Sequence, residues 1–181
     1  MKKDLLIIAT IICALVLLFS GTKIQSVDEY YLTNLDVITA DSQTVTLEIR
    51  ADTATQNRER FKQSLQQYIP QDGVILPQQA YVLRPNDSVF DIVNRAVRHH
   101  RIQMEYQGAD ANAFHSVYIQ GINYLYEFSG GPLSGWMYAV NDNFPNVGIS
   151  QYQLQDGDHI VLHYTCDLGR DLGHDWEASI Q

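Results

Sequence analysis

The sequence predicts an α+β domain, a β-grasp-like mixed or antiparallel sheet covered by one or two helices and preceded by an N-terminal membrane helix. Three observations carry this. "SVFDIVNRAVRHH" joins a Ser88-x-x-Asp91 capping box to an apolar stripe of Val89, Ile92, Val93, Ala96 and Val97 at helical spacing. Short alternating runs bounded by Gly, Asp, Asn or Ser follow it, as turn-linked strands do. The chain opens on an unbroken apolar run behind Lys2 and Lys3.

Residues 1–21 are expected to be a signal anchor or a signal peptide. At 1.5 Å per residue the apolar run from residue 5 is roughly 25 Å long, near the lower limit for a membrane span and long for a signal-peptide core. Bulky Leu18 or Phe19 falls where a cleavage site wants a small residue, which favours retention. Ile12 before Cys13 argues against a lipidated cysteine. With the lysines held in the cytoplasm, the body faces outside, as a single-pass membrane protein or, after cleavage, a secreted one. That body contains Cys166 alone, so no intrachain disulfide is expected outside the membrane.

Residues 22–42 mix polar and apolar types without a period and read as a stalk or linker. The domain is expected over residues 43–173. "TVTLEIR" alternates Val45, Leu47 and Ile49 against polar neighbours, a half-buried strand. "NRERFKQSLQQYI" spaces Phe61, Leu65, Tyr68 and Ile69 as a short amphipathic helix ending before Pro70, and "PQDG" is turn chemistry. "QQAYVLRPND" reads as a strand, and the capped helix follows. Further strands are expected in "IQMEY", "HSVYIQGI", "YLYEF" and "GWMYAVN". The Gly157-Asp158 turn launches a last strand with Ile160, Leu162 and Tyr164 on one face. Residues 174–181 read as a flexible tail.

The formal net charge of −9 argues against a nucleic-acid partner, which needs clustered Lys and Arg on phosphates. Ser134 in "GPLSG" sits one place late for a nucleophile elbow. His163 and Cys166, three apart on a strand, point to opposite faces. His159 and His163 share a face but lie about 13 Å apart along it, too far to ligate one ion. Asp156 and Asp158 flank a turn glycine. The residues therefore predict no enzyme, no metal site and no covalently bound cofactor. The aromatic residues are more informative. Tyr118, Tyr124, Tyr126, Trp136, Tyr138 and Tyr152 crowd the second half, as cross-strand pairs or as contacts for a flat, partly apolar ligand. In "SGWMYAVNDNFPN", Trp136 and Tyr138 share one strand face and Asn141 to Asn143 make a turn. A buried Trp136 would be a staple; an exposed one, a ligand contact.

From Val45 to Gly173 the sequence resembles bacterial exported domains similar to the C-terminal domain of transcobalamin and intrinsic factor. "SGWMYAVN", "FPNVGISQY", "LQDGDHI" and "YTCDLGRDLG" carry the resemblance, with "DGVILP" and "DSVFDIV" in support. It implies a β-grasp-like fold and a cobalamin or related corrinoid ligand, although the helical partner domain of the vertebrate carriers is not in this chain. It further implies ring contacts from Trp136, Tyr138 and Phe144, with amide groups from Asn141, Asn143 and Asn146. Relatives carry cysteines at positions matching Gly130 and Ile149, where they could join two loops; this sequence has neither. Two functions stay open: a membrane-tethered module that captures a corrinoid for a membrane importer, and a cell-surface protein-interaction or adhesion domain.

Overall fold

The computed structural model describes residues 12, 26, 30, 35–113 and 115–174. The chain forms two compact units, residues 1–30 and 31–181. The expected membrane helix, apart from residue 12, lies outside the described residues, and no helix among those described is long and apolar enough to cross a membrane. The second unit is a mixed α+β fold with two sheets and few helices.

Its main sheet has four strands: β1 (Thr44–Arg50), β2 (Val74–Val82), β6 (Gly135–Val140) and β7 (His159–Thr165), in the order β2-β1-β7-β6. β1 runs parallel to β7 at the centre, while β2 and β6 flank them antiparallel. β2 contains Pro77, which has no N–H for a ladder, and it accordingly occupies an edge; its pairing with β1 slips around Ile49. A second sheet of β3 (Met104–Gln107), β4 (Tyr118–Ile122) and β5 (Leu125–Tyr126) stands apart from the first. The strands foreseen as one series are thus shared between two sheets.

The capped helix forms as expected: α2 (Val89–His99) begins with Ser88 and Asp91 in a reciprocal capping box. Its stripe packs on Val45, Leu47, Ile49, Leu76, Ile160 and Leu162 of the main sheet and on Ile119 and Ile122 of the second, forming the larger core cluster. Buried Arg95 on this helix donates to the Asp87 carboxylate at 2.5 Å and to the Val82 carbonyl, tying the helix to its lead-in.

The helix expected over residues 57–69 is absent. In its place, two 3-10 turns (Arg58–Arg60 and Gln66–Tyr68) flank an extended Phe61, and a short α1 (Asp52–Gln56) precedes them. The Arg58 guanidinium donates to the carbonyls of Gln66, Ile69 and Pro70 at 2.8–3.1 Å, closing the segment into a loop. Phe61 and Ile69 enter a second core cluster with Ala51, Ala54, Leu125, Tyr164 and Cys166. Their helix-like spacing serves burial from a loop.

The domain's margins are packed. Leu35 lies against the larger core and Asp36 pairs with Arg84 at 2.8 Å, so the chain is already docked within the stretch read as a stalk. After β7, the Asp171 carboxylate accepts from the Thr165 hydroxyl and, at 2.7 Å, from Cys166 N. Of the expected tail, residues 175–181 lie outside the described residues.

Candidate functional site

Strand β6 is the edge strand of the main sheet opposite β2, and its open edge shapes the site. Asn141 N donates to His159 O at 2.8 Å, so along β6 the odd residues bond β7 and the even ones point their N–H and C=O outward. At one end of this outer row, Ser134 O accepts from Phe128 N at 2.9 Å. At the other, Val140 and Asn143 exchange both bonds across a two-residue turn in which Asn141 (φ 51) and Asp142 (φ 63) are left-handed, a type I′ hairpin. The returning chain therefore starts to pair with the edge of β6. The next rung would require residue 145 to donate to Tyr138 O, and Pro145 has no N–H. The chain peels away there. Among the described residues, no backbone partner reaches the outward groups of Trp136 and Tyr138.

The peeling leaves an apolar cavity of about 370 Å³. Trp136, Met137 and Tyr138 form one wall, Val117, Tyr118 and Ile119 a second, Phe144, Pro145 and Val147 to Ile149 a third, and Leu162 also contributes. The second and third walls are joined by serines. Ser116 and Ser150 lie 3.0 Å apart, Val117 N donates to Ser150 Oγ, and a Cβ on Gly148 would stand 1.9 Å from Ser116 Oγ. Tyr138 OH donates to Val147 O at 2.7 Å, closing the third wall against β6. Burial raises the Tyr138 phenol, and burial together with the bond to Glu127 pushes Tyr118 up to about 12, so both remain neutral hydroxyls. Among the described residues, no charged side chain lines the cavity.

Trp136 takes both roles that the sequence left open. It is half-buried, its indole N–H donates to Leu125 O at 2.8 Å, and its ring meets Tyr164 edge-on at 5.3 Å, while the side chain also walls the cavity. Of the six residues expected at the site, Trp136, Tyr138 and Phe144 line it and Asn141, Asn143 and Asn146 do not. Asn141 donates to Asp158 and accepts from His159 N, and Asn143 donates to Asn141 O; these amides hold the hairpin. Tyr118, one of the aromatics noted in the sequence, also lines the cavity, whereas Val117, Ile119, Val147 to Ile149 and Leu162 went unforeseen because they converge from separate segments.

Other candidates resolve into structure. Ser134 Oγ donates to Gly131 O and accepts from Gly130 N, and it also meets Tyr164 OH. Cys166 is buried, and burial raises its thiol, which keeps the thiolate scarce. His159 contacts Thr46 and Glu48. Among the described residues, no three His, Cys, Asp or Glu side chains converge as metal ligands. Gly130 abuts Phe61 and Cys166 in the second cluster, whereas Ile149 belongs to the first, so cysteines at these two positions would stand in different parts of the core.

Fold and site together define a small α+β domain with an apolar cavity of ligand size at a sheet edge. Residues 86–166 match the profile of a family described as a domain of unknown function, DUF4430. No curated protein matches the chain. A solved structure described as that of a candidate metal binding protein from Ruminococcus gnavus ATCC 29149 is similar at 9% identity, with a TM-score of 0.40, over 68% of this chain and 96% of that one.

Proposed function

We propose that the domain is an extracytoplasmic, membrane-tethered ligand-binding module and that its site is the cavity beside β6. The observation that carries this reading is the cavity itself: about 370 Å³, apolar, and walled by four aromatic residues already singled out from the sequence, Tyr118, Trp136, Tyr138 and Phe144. The strand order, with its parallel central pair between antiparallel flanks, supports a β-grasp-like description akin to the transcobalamin C-terminal domain. The resemblance to that domain makes a corrinoid the first ligand to try. A corrin ring with its side chains exceeds this volume, so the cavity would hold one edge of it, and a membrane importer would receive the cargo. The module is read as non-catalytic, without a resident cofactor or nucleic-acid partner.

The test is a titration of the full chain in mild detergent with cyanocobalamin and with cobinamide, following heat and Trp136 fluorescence in a Trp176→Phe background. The expected result is saturable quenching, abolished by Val147→Phe, which narrows the cavity without adding a second indole. No heat and no quenching up to millimolar ligand removes the corrinoid. The alternative, a cell-surface protein-interaction domain, is favoured by one observation, the outward backbone groups of Trp136 and Tyr138 on β6, which no backbone partner reaches among the described residues.

A further inference from the structure

We infer that the cavity takes an extended peptide segment, neutral or basic, which completes the interrupted ladder on β6. This rests on the cavity being the ligand site and names the class of ligand it receives.

Four backbone groups, the N–H and C=O of Trp136 and of Tyr138, point outward between a filled position at Ser134 and a filled rung at Val140. The gap therefore runs from Trp136 to Tyr138, about 7 Å of strand, which suits a single added stretch of extended chain. Its cause is local and built in: Pro145 cannot donate the next hydrogen bond, so the chain's own return segment leaves the ladder unfinished. A purely side-chain-lined pocket has no need of such a row. An added strand needs it, because main-chain bonds hold the peptide while alternate side chains enter the apolar walls. The charge preference follows from the surroundings. Among the described residues no cation lines the cavity, the Glu127 carboxylate sits 2.5 Å from the hydroxyl of cavity-lining Tyr118, and the chain carries −9 overall. An acidic peptide would be repelled and a lysine-bearing one drawn in.

The test is amide hydrogen exchange by NMR on the full chain in mild detergent, with and without an acetylated, amidated heptapeptide alternating lysine and valine. Exchange at the Trp136 and Tyr138 amides should slow by at least about tenfold, with little change at Met137 and Ala139, which already bond β7. A copy of the peptide N-methylated along one edge should lose the effect, as should a glutamate-for-lysine copy. Val147→Trp should block it without changing the unfolding temperature. Four results overturn the inference. Unchanged exchange with the peptide, while cyanocobalamin or cobinamide still quenches Trp136, leaves a small-molecule module. Equal protection by the N-methylated peptide denies the backbone role. Protection already present without peptide gives the edge to this chain or to a second copy, according to whether it depends on protein concentration. Silence toward peptide and corrinoids alike removes this inference and the corrinoid reading together.

Discussion

Trp136 divides its work between two parts of one side chain. The indole N–H serves the fold through Leu125 O, and the rest of the ring borders both Tyr164 and the cavity. Trp136→Phe keeps an aromatic wall but leaves a carbonyl without its donor, a loss of about 1–3 kcal/mol. The expected outcome is an unfolding temperature lower by about 3–8 °C with ligand binding retained, measured by calorimetry. Asn141 should behave in the opposite sense to its role as expected from the sequence. Its amide bridges Asp158 and His159 N, and its backbone is left-handed, so Asn141→Ala should cost about 2–3 kcal/mol in urea unfolding. Asn141→Gly, which tolerates the backbone angle, should cost less. Because Asn141 lies outside the cavity, ligand affinity measured on the folded fraction should not change in either variant. The residue types that offer amides to a ligand are also those that build tight turns, and the side chains of Asn141 and Asn143 bond within the hairpin.

At the level of elements, legibility followed locality. The capping box and apolar stripe of α2 lie within a dozen residues, and the alternation of β7 begins at a recognisable turn, so both could be read directly. The segment at residues 57–69 misled because Phe61 and Ile69 reach the core from a loop whose closure depends on Arg58 capturing three carbonyls, which spacing does not encode. The parallel pairing of β1 with β7, more than a hundred positions away, was equally hidden. So was the assembly of the cavity: three aromatics of one hairpin were legible, but the walls at residues 117–119 and 147–149 meet it only after folding. β7 also carries a pH response on its outer face. His163 sits between Arg50 and Met137 in the ladders, under the Phe144 ring, and with Asp52, Glu48 and Asp142 acting on it. Burial outweighs the carboxylates and holds the imidazole below its ordinary 6.5. The unfolded chain then binds a proton that the folded chain refuses. Stability is full above about pH 6.5 and is lost as pH falls from there toward the folded value. Denaturant midpoints should therefore drop between about pH 7.5 and 5.5, and His163→Gln should flatten the drop. His100, lowered by burial and by His99, should preserve part of the slope.

Across the whole domain, the interior is two clusters rather than one, and only a few side chains touch both. The larger lies between α2 and the sheets; the smaller gathers Ala51, Ala54, Phe61, Ile69, Leu125, Tyr164 and Cys166. Ile75 and Trp136 pack against each. Strand β7 supplies Ile160 and Leu162 to one cluster and Tyr164 to the other, so the backbone joins them as well, but a continuous strand does not by itself make two cores open together. Cooperative behaviour then depends on the shared side chains. In the native protein, the Thr55 and Asn57 amides of the α1 region, bonded to Ala51 O and Thr53 O, should exchange with nearly the same opening free energy as the α2 amides. Truncating both bridges, Ile75→Ala with Trp136→Ala, should lower the opening free energy at Thr55 and Asn57 by at least about 2 kcal/mol more than at α2. Limited proteolysis of that variant should cut first near residues 58–69, the loop that borders the smaller cluster. Equal losses at both sets of amides would mean that β7 alone transmits the coupling, and the wall of the cavity would then have no part in holding the two cores together.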